Sequence, residues 1–298
     1  MMRIIEVGPR DGLQNESVPV PTEVKSRFVS ALFQAGLKEI EVTSFVSPKW
    51  VPQLGDAAEL LAMLEPGPIT SVLVPNQKGL ERALECGVKR IALFTAASDA
   101  FTQRNINMTV RQSLDVFKGL AESFRAAQPD GWIRGYVSTA WECPYAGRIA
   151  MTQTVSVATE LIAMGVNEVS IGDTIGVAAP TEVKALTKLL LAEIPAEKLA
   201  MHFHDTRGTA IANVAASYEL GIRAFDSSAS GLGGCPYAKG AGGNLATEDL
   251  IYFLEREGIA TGVNQLKLAQ ASLEVLSTLG KVPTAKAQIA ALAAASEQ

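Results

Sequence analysis

Ala35-Gly36-Leu37-Lys38-Glu39-Ile40-Glu41-Val42-Thr43 passes from a helical pattern into a strand-like one within a few residues. Upstream, Val24, Phe28 and Leu32 recur at i, i+4 and i+8 on one helix face, behind Thr22 as the expected N-cap. Gly36 suits the end of that helix, because helices commonly stop on a left-handed residue, where a Cβ is costly. The same passage from helix through glycine to strand recurs at Cys86-Gly87-Val88, Met164-Gly165-Val166 and Leu220-Gly221-Ile222. A further helix, from Gly208 to Leu220, carries Ile211, Val214 and Tyr218 on one face.

Extending the pattern over the chain predicts strands at Arg3–Val7, Glu39–Thr43, Thr70–Val74, Arg90–Thr95, Ile133–Ser138, Glu168–Gly172, Leu199–His204 and Ala224–Ser227. Strict alternation of strand and helix requires parallel strands with right-handed crossovers, in either a closed barrel or an open doubly wound sheet. Eight units and the lack of a glycine-rich phosphate fingerprint after the first strand favour the barrel. After Asn264 the pattern is helical and alanine-rich. The expected fold is therefore α/β: a (β/α)8 TIM barrel over about residues 3–260, with a helical C-terminal extension over about 264–298, in one catalytic domain spanning 1–298.

Composition narrows the function. The chain has 298 residues, nearly half of them hydrophobic, and a net charge of −5, which argues against a surface built to neutralise nucleic-acid phosphates. Cys86, Cys143 and Cys235 have no paired spacing, so no disulfide framework is expected. There is no apolar run long enough for a transmembrane helix. The sequence goes directly from Met1-Met2-Arg3 into a strand, so a reduced, cytoplasmic enzyme without a membrane or nucleic-acid partner is expected.

In a parallel barrel, functional residues belong at the C-terminal ends of the strands. Arg10 and Asp11, Glu41 with Thr43 and Ser44, Asp173 with Thr174, and His202 with His204 all fall there. His202 and His204 are the only histidines, and strand periodicity places both on the inner side, about 7 Å apart along the backbone. Neutral imidazoles so placed are good ligands for a divalent metal. Asp11 is the best carboxylate to join them, because strand eight closes beside strand one; a plain turn residue ahead of Gly12 is the alternative. Asn244 ends a glycine-rich stretch, Gly231 to Gly243, that permits close approach of backbone to ligand. Two histidines, an aspartate and an asparagine suit Mg²⁺ or Mn²⁺, whereas Zn²⁺ more often recruits thiolate.

Four segments carry a resemblance to a known family: Glu6 to Glu16 (EVGPRDGLQNE), Thr43 to Pro52 (TSFVSPKWVP), Gly172-Asp173-Thr174-Ile175-Gly176, and Gly231 through Asn244. They resemble 3-hydroxy-3-methylglutaryl-CoA lyase, in one register from residue 4 to about residue 270. The resemblance implies metal ligation by Asp11, His202, His204 and Asn244, a catalytic Arg10, a catalytic Cys235 and accessory acids Glu41 and Asp173. Gln14, Lys49, Arg207 and Thr174 are the expected substrate contacts. The implied chemistry is a retro-Claisen cleavage to acetyl-CoA and acetoacetate, as in leucine degradation and ketone-body formation. His202, or in reserve Asp11 or Asp173, would take the C3 hydroxyl proton, Arg10 would stabilise the enolate, and Cys235 would return a proton to it. CoA phosphates are expected near Lys49, Arg104 or Lys239, and the resemblance favours a homo-oligomer, dimer or tetramer.

The sequence also departs from that family. Arg207-Gly208-Thr209 stands where Tyr-Gly-Gln is usual, and the segment after strand five reads Thr139-Ala140-Trp141-Glu142, where a small residue and a cysteine are more familiar. Arg207 reads either as a solvated surface residue or as a sign of a related 3-hydroxyacyl-CoA substrate with an extended or differently substituted chain. Cys143 reads as substrate-side packing. An isopropylmalate-synthase-type condensing enzyme shares the Arg-Asp-Gly and His-x-His elements, but its glycine-rich loop differs and it carries a long C-terminal region. A non-catalytic barrel would have lost some of the site positions that are filled here.

Overall fold

The computed structural model describes residues 2–233 and 243–297. Cys235 and Lys239 lie outside the described residues, as does most of the glycine-rich stretch. Eight strands, β1 Arg3–Glu6, β2 Glu39–Ser44, β3 Ile69–Leu73, β4 Arg90–Ala96, β5 Trp132–Ser138, β6 Glu168–Asp173, β7 Leu199–Phe203 and β8 Ala224–Ser227, close in the order 1-8-7-6-5-4-3-2. Every neighbouring pair is parallel. The expected strands are all present, with no bound shifted by more than one residue. A two-stranded antiparallel hairpin, Glu142–Cys143 with Gly147–Arg148, was not foreseen.

Helices α1 Thr22–Gln34, α2 Ala57–Met63, α3 Gln77–Glu85, α4 Asp99–Ile106, α5 Val110–Ala127, α6 Met151–Ala163, α7 Pro180–Glu193 and α8 Ala210–Glu219 form the outer layer, and α9 Thr247–Arg256 follows β8. Their inner faces bury Phe28, Leu32, Leu114, Phe117, Phe124, Leu161, Leu186 and Leu250 in one continuous core against the outside of the barrel. Local signals set the helix ends. A reciprocal pair of hydrogen bonds between Thr109 and Gln112 opens α5. The N-cap of α1 is Pro21 rather than Thr22, whose hydroxyl instead donates to Asp56 Oδ2 at 2.9 Å. Asp56 also accepts Lys25 Nζ at 2.9 Å, so this carboxylate draws both side chains sideways across the first turn.

Three C-terminal helices, α10 Gln265–Ala271, α11 Leu273–Thr278 and α12 Lys286–Ser296, extend the outer layer. Leu268, Val275, Leu276 and Leu279 join the same core as the barrel helices, with α10 seated on α1 and α12 on α9 and α10. No helix of the described residues is long and apolar enough to cross a membrane.

The inside of the barrel differs from its outside. Period-two alternation turns residues 134, 136 and 138 of β5, and 168, 170 and 172 of β6, toward the axis. Branched apolar side chains usually fill that space, yet here it holds charges. At the floor, Arg3 pairs with Glu39 at 2.8 Å and with Glu168, and Arg90 lies 3.4 Å from Glu39. One layer up, Arg134 Nη2 donates to Asp226 Oδ1 at 2.6 Å, while its Nε lies 3.1 Å from Glu168 Oε1. Arg134, Glu168 and Asp226 are each at most 1% exposed.

Removing one member of a buried charge pair leaves the other uncompensated in a low-dielectric interior. Arg134→Met removes the only arginine paired with Asp226 among the described residues and leaves Glu168 with Arg3 alone. It should lower the unfolding free energy by about 3–5 kcal/mol, measured by urea titration. A loss below about 1 kcal/mol would show that the two acids find other partners or protons.

Candidate active site

The site is built from the strand ends inward. After β1 the chain makes a single wide turn, Gly8–Gly12, in which the Val7 carbonyl faces the amides of Arg10, Asp11 and Gly12 at 3.2, 2.7 and 3.2 Å. A single π-type turn of this kind is frequent at functional sites. It points Arg10 and Asp11 into the mouth of the barrel. Arg10 is 4% exposed. Its Nε donates to Glu41 Oε1, its Nη1 donates to Asp11 Oδ1 at 2.7 Å, and its guanidinium lies 5.3 Å from the centre of the Tyr136 ring. Tyr136 OH in turn donates to the second Glu41 oxygen at 2.9 Å.

His202 and His204 both face inward at the top of β7, with ring centres 5.3 Å apart. Ligand atoms of Asp11, His202 and His204 all lie within 4.8 Å of one another. Asn244 completes the group. Its Nδ2 donates to Asp11 Oδ2 at 2.8 Å and to the Leu232 carbonyl at 3.1 Å. That leaves Asn244 Oδ1 and His204 Nδ1 buried with no hydrogen-bond partner among the described residues. Buried polar atoms are normally paired, so two orphaned lone pairs beside a carboxylate and an imidazole fit a cation better than they fit an empty core. These are oxygen and imidazole donors of the kind that hold a divalent metal.

The electrostatics agree. Burial alone would raise the Asp11 carboxyl, but Arg10 and the two imidazoles hold it down to about 2. Burial and the neighbouring His202 push His204 down to about 4. Asp11 is thus ionised and His204 neutral at physiological pH, the states that ligation requires. Burial lowers His202, but its contact with Asp226 outweighs this and leaves it above the usual histidine value. His202 Nδ1 lies 3.1 Å from Asp226 Oδ2, so the nitrogen turned toward Asp11 is Nε2, at 4.0 Å. Ser170 Oγ also donates to Asp226 Oδ2, at 2.8 Å. A carboxylate behind a ligating imidazole fixes its tautomer and orientation.

Arg10, Asp11, His202 and His204 border a cavity of about 340 Å³. Arg10, Asp11, Gln14, His202 and His204 form its polar side, and Val51, Phe94 and Phe101 its apolar side. Arg104 and Asn105 also border it, with the Arg104 guanidinium 4.2 Å from the Tyr145 ring centre.

A family model described as HMGL-like matches residues 1–275. The chain belongs to the HMG-CoA lyase family. It is 47% identical over 287 residues to the mitochondrial hydroxymethylglutaryl-CoA lyase of Rattus norvegicus, covering 96% of this chain and 88% of that one. It is 50% identical over 296 residues to a 3-hydroxy-3-isohexenylglutaryl-CoA/hydroxymethylglutaryl-CoA lyase of Pseudomonas aeruginosa, covering 99% and 98%. The crystal structure of a hydroxymethylglutaryl-CoA lyase from Pseudomonas aeruginosa superposes with a TM-score of 0.94 at 49% identity, over 98% of this chain and 97% of that one.

In this member of the HMG-CoA lyase family, Arg10, Asp11, Glu41, His202, His204 and Asn244 converge at one end of the barrel. Gln14 borders the cavity and donates to Asp11 Oδ1 at 2.9 Å. Thr174 borders it too, and its Oγ1 accepts the Thr139 amide at 2.8 Å. Asp173 does not reach the cavity. The alternation that turns Gly172 and Thr174 inward turns Asp173 outward, where its carboxylate accepts the amides of Val177 and Ala178 at 3.1 and 3.0 Å. Burial pushes this carboxyl up to about 6.

Arg207 does not border the cavity either; it is exposed and donates to the carbonyls of Ile175 and Gly176 at 2.7 and 3.2 Å. Lys49 is exposed on the loop after β2. Trp141 is buried against Phe203, with ring centres 6.0 Å apart, so its bulk belongs to the core rather than the mouth. Cys143 sits one layer behind the cavity wall, in a cluster with Phe101, and its Sγ accepts from Ser98 Oγ at 3.0 Å.

Asp226, Arg134, Tyr136 and Ser170 were missed in the sequence. Their signal was an ionisable or hydroxyl side chain inside a strand buried on both faces, where an unpaired polar group is costly.

Two buried acids, Glu248 and Glu6, hold the segment that leads into the glycine-rich stretch. Glu248 Oε2 accepts the Ser230 amide at 2.8 Å, and burial pushes its carboxyl up to about 8. Burial likewise pushes Glu6 up to about 7. A carboxyl whose folded value exceeds its unfolded one holds its proton better in the native state. The native state therefore loses stability as pH rises from the unfolded value through about 8. Glu248→Gln removes this ionisation, so its melting temperature should fall less than that of wild type between about pH 5 and about pH 9. A constant offset between the two proteins across that range would exclude Glu248 as a source of the pH dependence.

Proposed function

We propose that this chain is a divalent-metal-dependent lyase that cleaves 3-hydroxy-3-methylglutaryl-CoA to acetyl-CoA and acetoacetate. The observation that carries this reading is that Asp11, His202 and His204, with ligand atoms within 4.8 Å of one another, border one cavity with the buried Arg10, and that Asn244 bonds Asp11. The names of the two curated relatives support the substrate. The donor set favours Mg²⁺ or Mn²⁺. Asp11, His202, His204 and Asn244 would hold the ion, which supplies Lewis acidity toward the C3 hydroxyl and an acyl oxygen.

The protein's own groups account for the rest. His202 has Nδ1 bonded to Asp226, so ligation and proton abstraction both draw on its Nε2 lone pair. Asp173 is turned outward, so the C3 hydroxyl proton would go to His202 or Asp11, both also proposed ligands. His202, held above its usual value while Asp11 is held down to about 2, is the stronger base and would act when Nε2 is not on the ion. As the C2–C3 bond breaks, its electron pair moves onto C2 and the thioester carbonyl as an enolate, and C3 becomes the ketone carbon of acetoacetate. Arg10 is held at Nε by Glu41 and at Nη1 by Asp11, which leaves Nη2 to meet the enolate oxygen. A preorganised donor at the site of developing charge is among the largest single contributions to catalysis. Cys235, outside the described residues, is the proposed proton donor to C2; its support is the sequence resemblance alone.

The test is release of acetyl-CoA from 3-hydroxy-3-methylglutaryl-CoA with Mn²⁺ and with chelator. Wild type should turn over only with metal, and Arg10→Gln should lower kcat by about a thousandfold with the fold intact. Turnover in chelator, or wild-type turnover by Arg10→Gln, would remove the corresponding role. A second reading, a substrate with a longer C3 substituent, is favoured by the apolar wall of Val51, Phe94 and Phe101 and by the printed substrate of the Pseudomonas aeruginosa relative. On that reading a longer 3-alkyl homologue should be cleaved with a kcat/KM within about tenfold of the methyl substrate. A loss beyond about a thousandfold would restrict the enzyme to methyl.

A further inference from the structure

We infer that Glu6 is a positioning residue: its buried carboxylate clamps the turn that carries Arg10 and Asp11 to the segment that carries Asn244, and so sets the spacing of the metal ligands. This rests on the metal-site reading above. Glu6 ends β1 and is fully buried, yet it does not border the cavity. Its Oε1 accepts two amides, Gly8 at 2.7 Å and Ala229 at 2.9 Å. Its Oε2 accepts the Thr247 hydroxyl at 2.6 Å, and Ser227 Oγ lies 2.9 Å from the same hydroxyl.

One side chain therefore binds the first residue of the Arg10–Asp11 turn, the segment leaving β8, and the residue three beyond Asn244. Those three pieces of chain are in close contact. A Cβ on Gly8 would lie 2.5 Å from Glu6 Oε1, and a Cβ on Gly12 would lie 2.9 Å from Ser228 Oγ. The Asn244 segment is itself tied to β7 and β8 through Leu245 N to Phe203 O at 3.0 Å and Ser228 N to Leu245 O at 2.9 Å. His202 and His204 project from β7, so their place is given by the barrel. Asp11 and Asn244 come from two separate loops, and the direct bond between them is the 2.8 Å contact of Asn244 Nδ2 with Asp11 Oδ2. Metal binding competes for both of those side chains, so a ligand-independent link is needed to keep the loops in register. Glu6 is placed to provide it. Partners behind the ligands of a metal site typically change affinity by about 10–100-fold when removed.

The test is Mn²⁺ affinity by calorimetric titration of the full chain, with melting temperature measured in parallel. Glu6→Ala should weaken Mn²⁺ binding by about tenfold or more. Glu6→Gln keeps an oxygen for both amides and can donate to the Thr247 hydroxyl, so it should bind Mn²⁺ within about threefold of wild type. Thr247→Val, which removes only the hydroxyl on the Asn244 side, should weaken binding by an intermediate factor. A Glu6→Ala protein with a lowered melting temperature and wild-type Mn²⁺ affinity overturns the inference, since Glu6 would then serve stability alone. Should Glu6→Ala fail to fold, unchanged affinity in Thr247→Val overturns it as well. If wild type takes up no Mn²⁺, the metal-site reading fails and the inference falls with it; if wild type binds and the variants bind equally, only the inference fails.

Discussion

The ion pair between Arg134 and Asp226 lies at the centre of the barrel, 2.6 Å long and sealed from solvent. Neither partner could be buried alone, because the cost of an unpaired charge in the interior exceeds what any surrounding packing returns. Each must therefore also meet other groups: Arg134 approaches Glu168, and Asp226 accepts from Ser170 and faces His202. Glu168 in turn receives Arg3. The result is a column of alternating charge that runs from the floor of the barrel to its mouth, with contributions from strands β1, β5, β6, β7 and β8. Its upper end is an imidazole held in one orientation.

This arrangement divides the work between the two sides of the sheet. Outside, the apolar face of each strand is covered by helices in a continuous core, which supplies the burial that stabilises the fold. Inside, hydrogen bonds and charge pairs replace the usual branched side chains, and they decide where His202, Arg10 and Glu41 point. Because the donors at the mouth are locked from below, the cavity presents an ionised Asp11, a neutral His204 and a fixed guanidinium without rearrangement. Preorganisation of this kind is what an anionic transition state requires.

Much of this was legible in the residues. Period-two strands, helix-stopping glycines at 36, 87, 165 and 221, and the count of eight units led to a closed parallel barrel. All four of these glycines adopt positive φ, which is the backbone state that made glycine the expected residue there. The His-x-His pair at a strand end and the Arg-Asp-Gly turn marked the mouth. Other features were not legible. Asp173 looked as prominent as Glu41, because both are acids at strand ends; a single step of strand alternation separates an acid that meets Arg10 and Tyr136 inside the barrel from one that caps a loop. Arg207 looked like a substrate contact for the same reason of sequence proximity, yet its guanidinium is engaged by two loop carbonyls.

By itself the sequence determined the fold class and the identity of the metal-ligand candidates, since periodicity and residue chemistry are local properties that survive without coordinates. Only the tertiary structure decided which polar groups act together. Glu6 bonds residues 8, 229 and 247, and Asp226 meets residues 134, 170 and 202. Those partners are brought together by barrel closure, and no spacing along the chain encodes it, because the stagger of eight strands sets which inward residues share a layer.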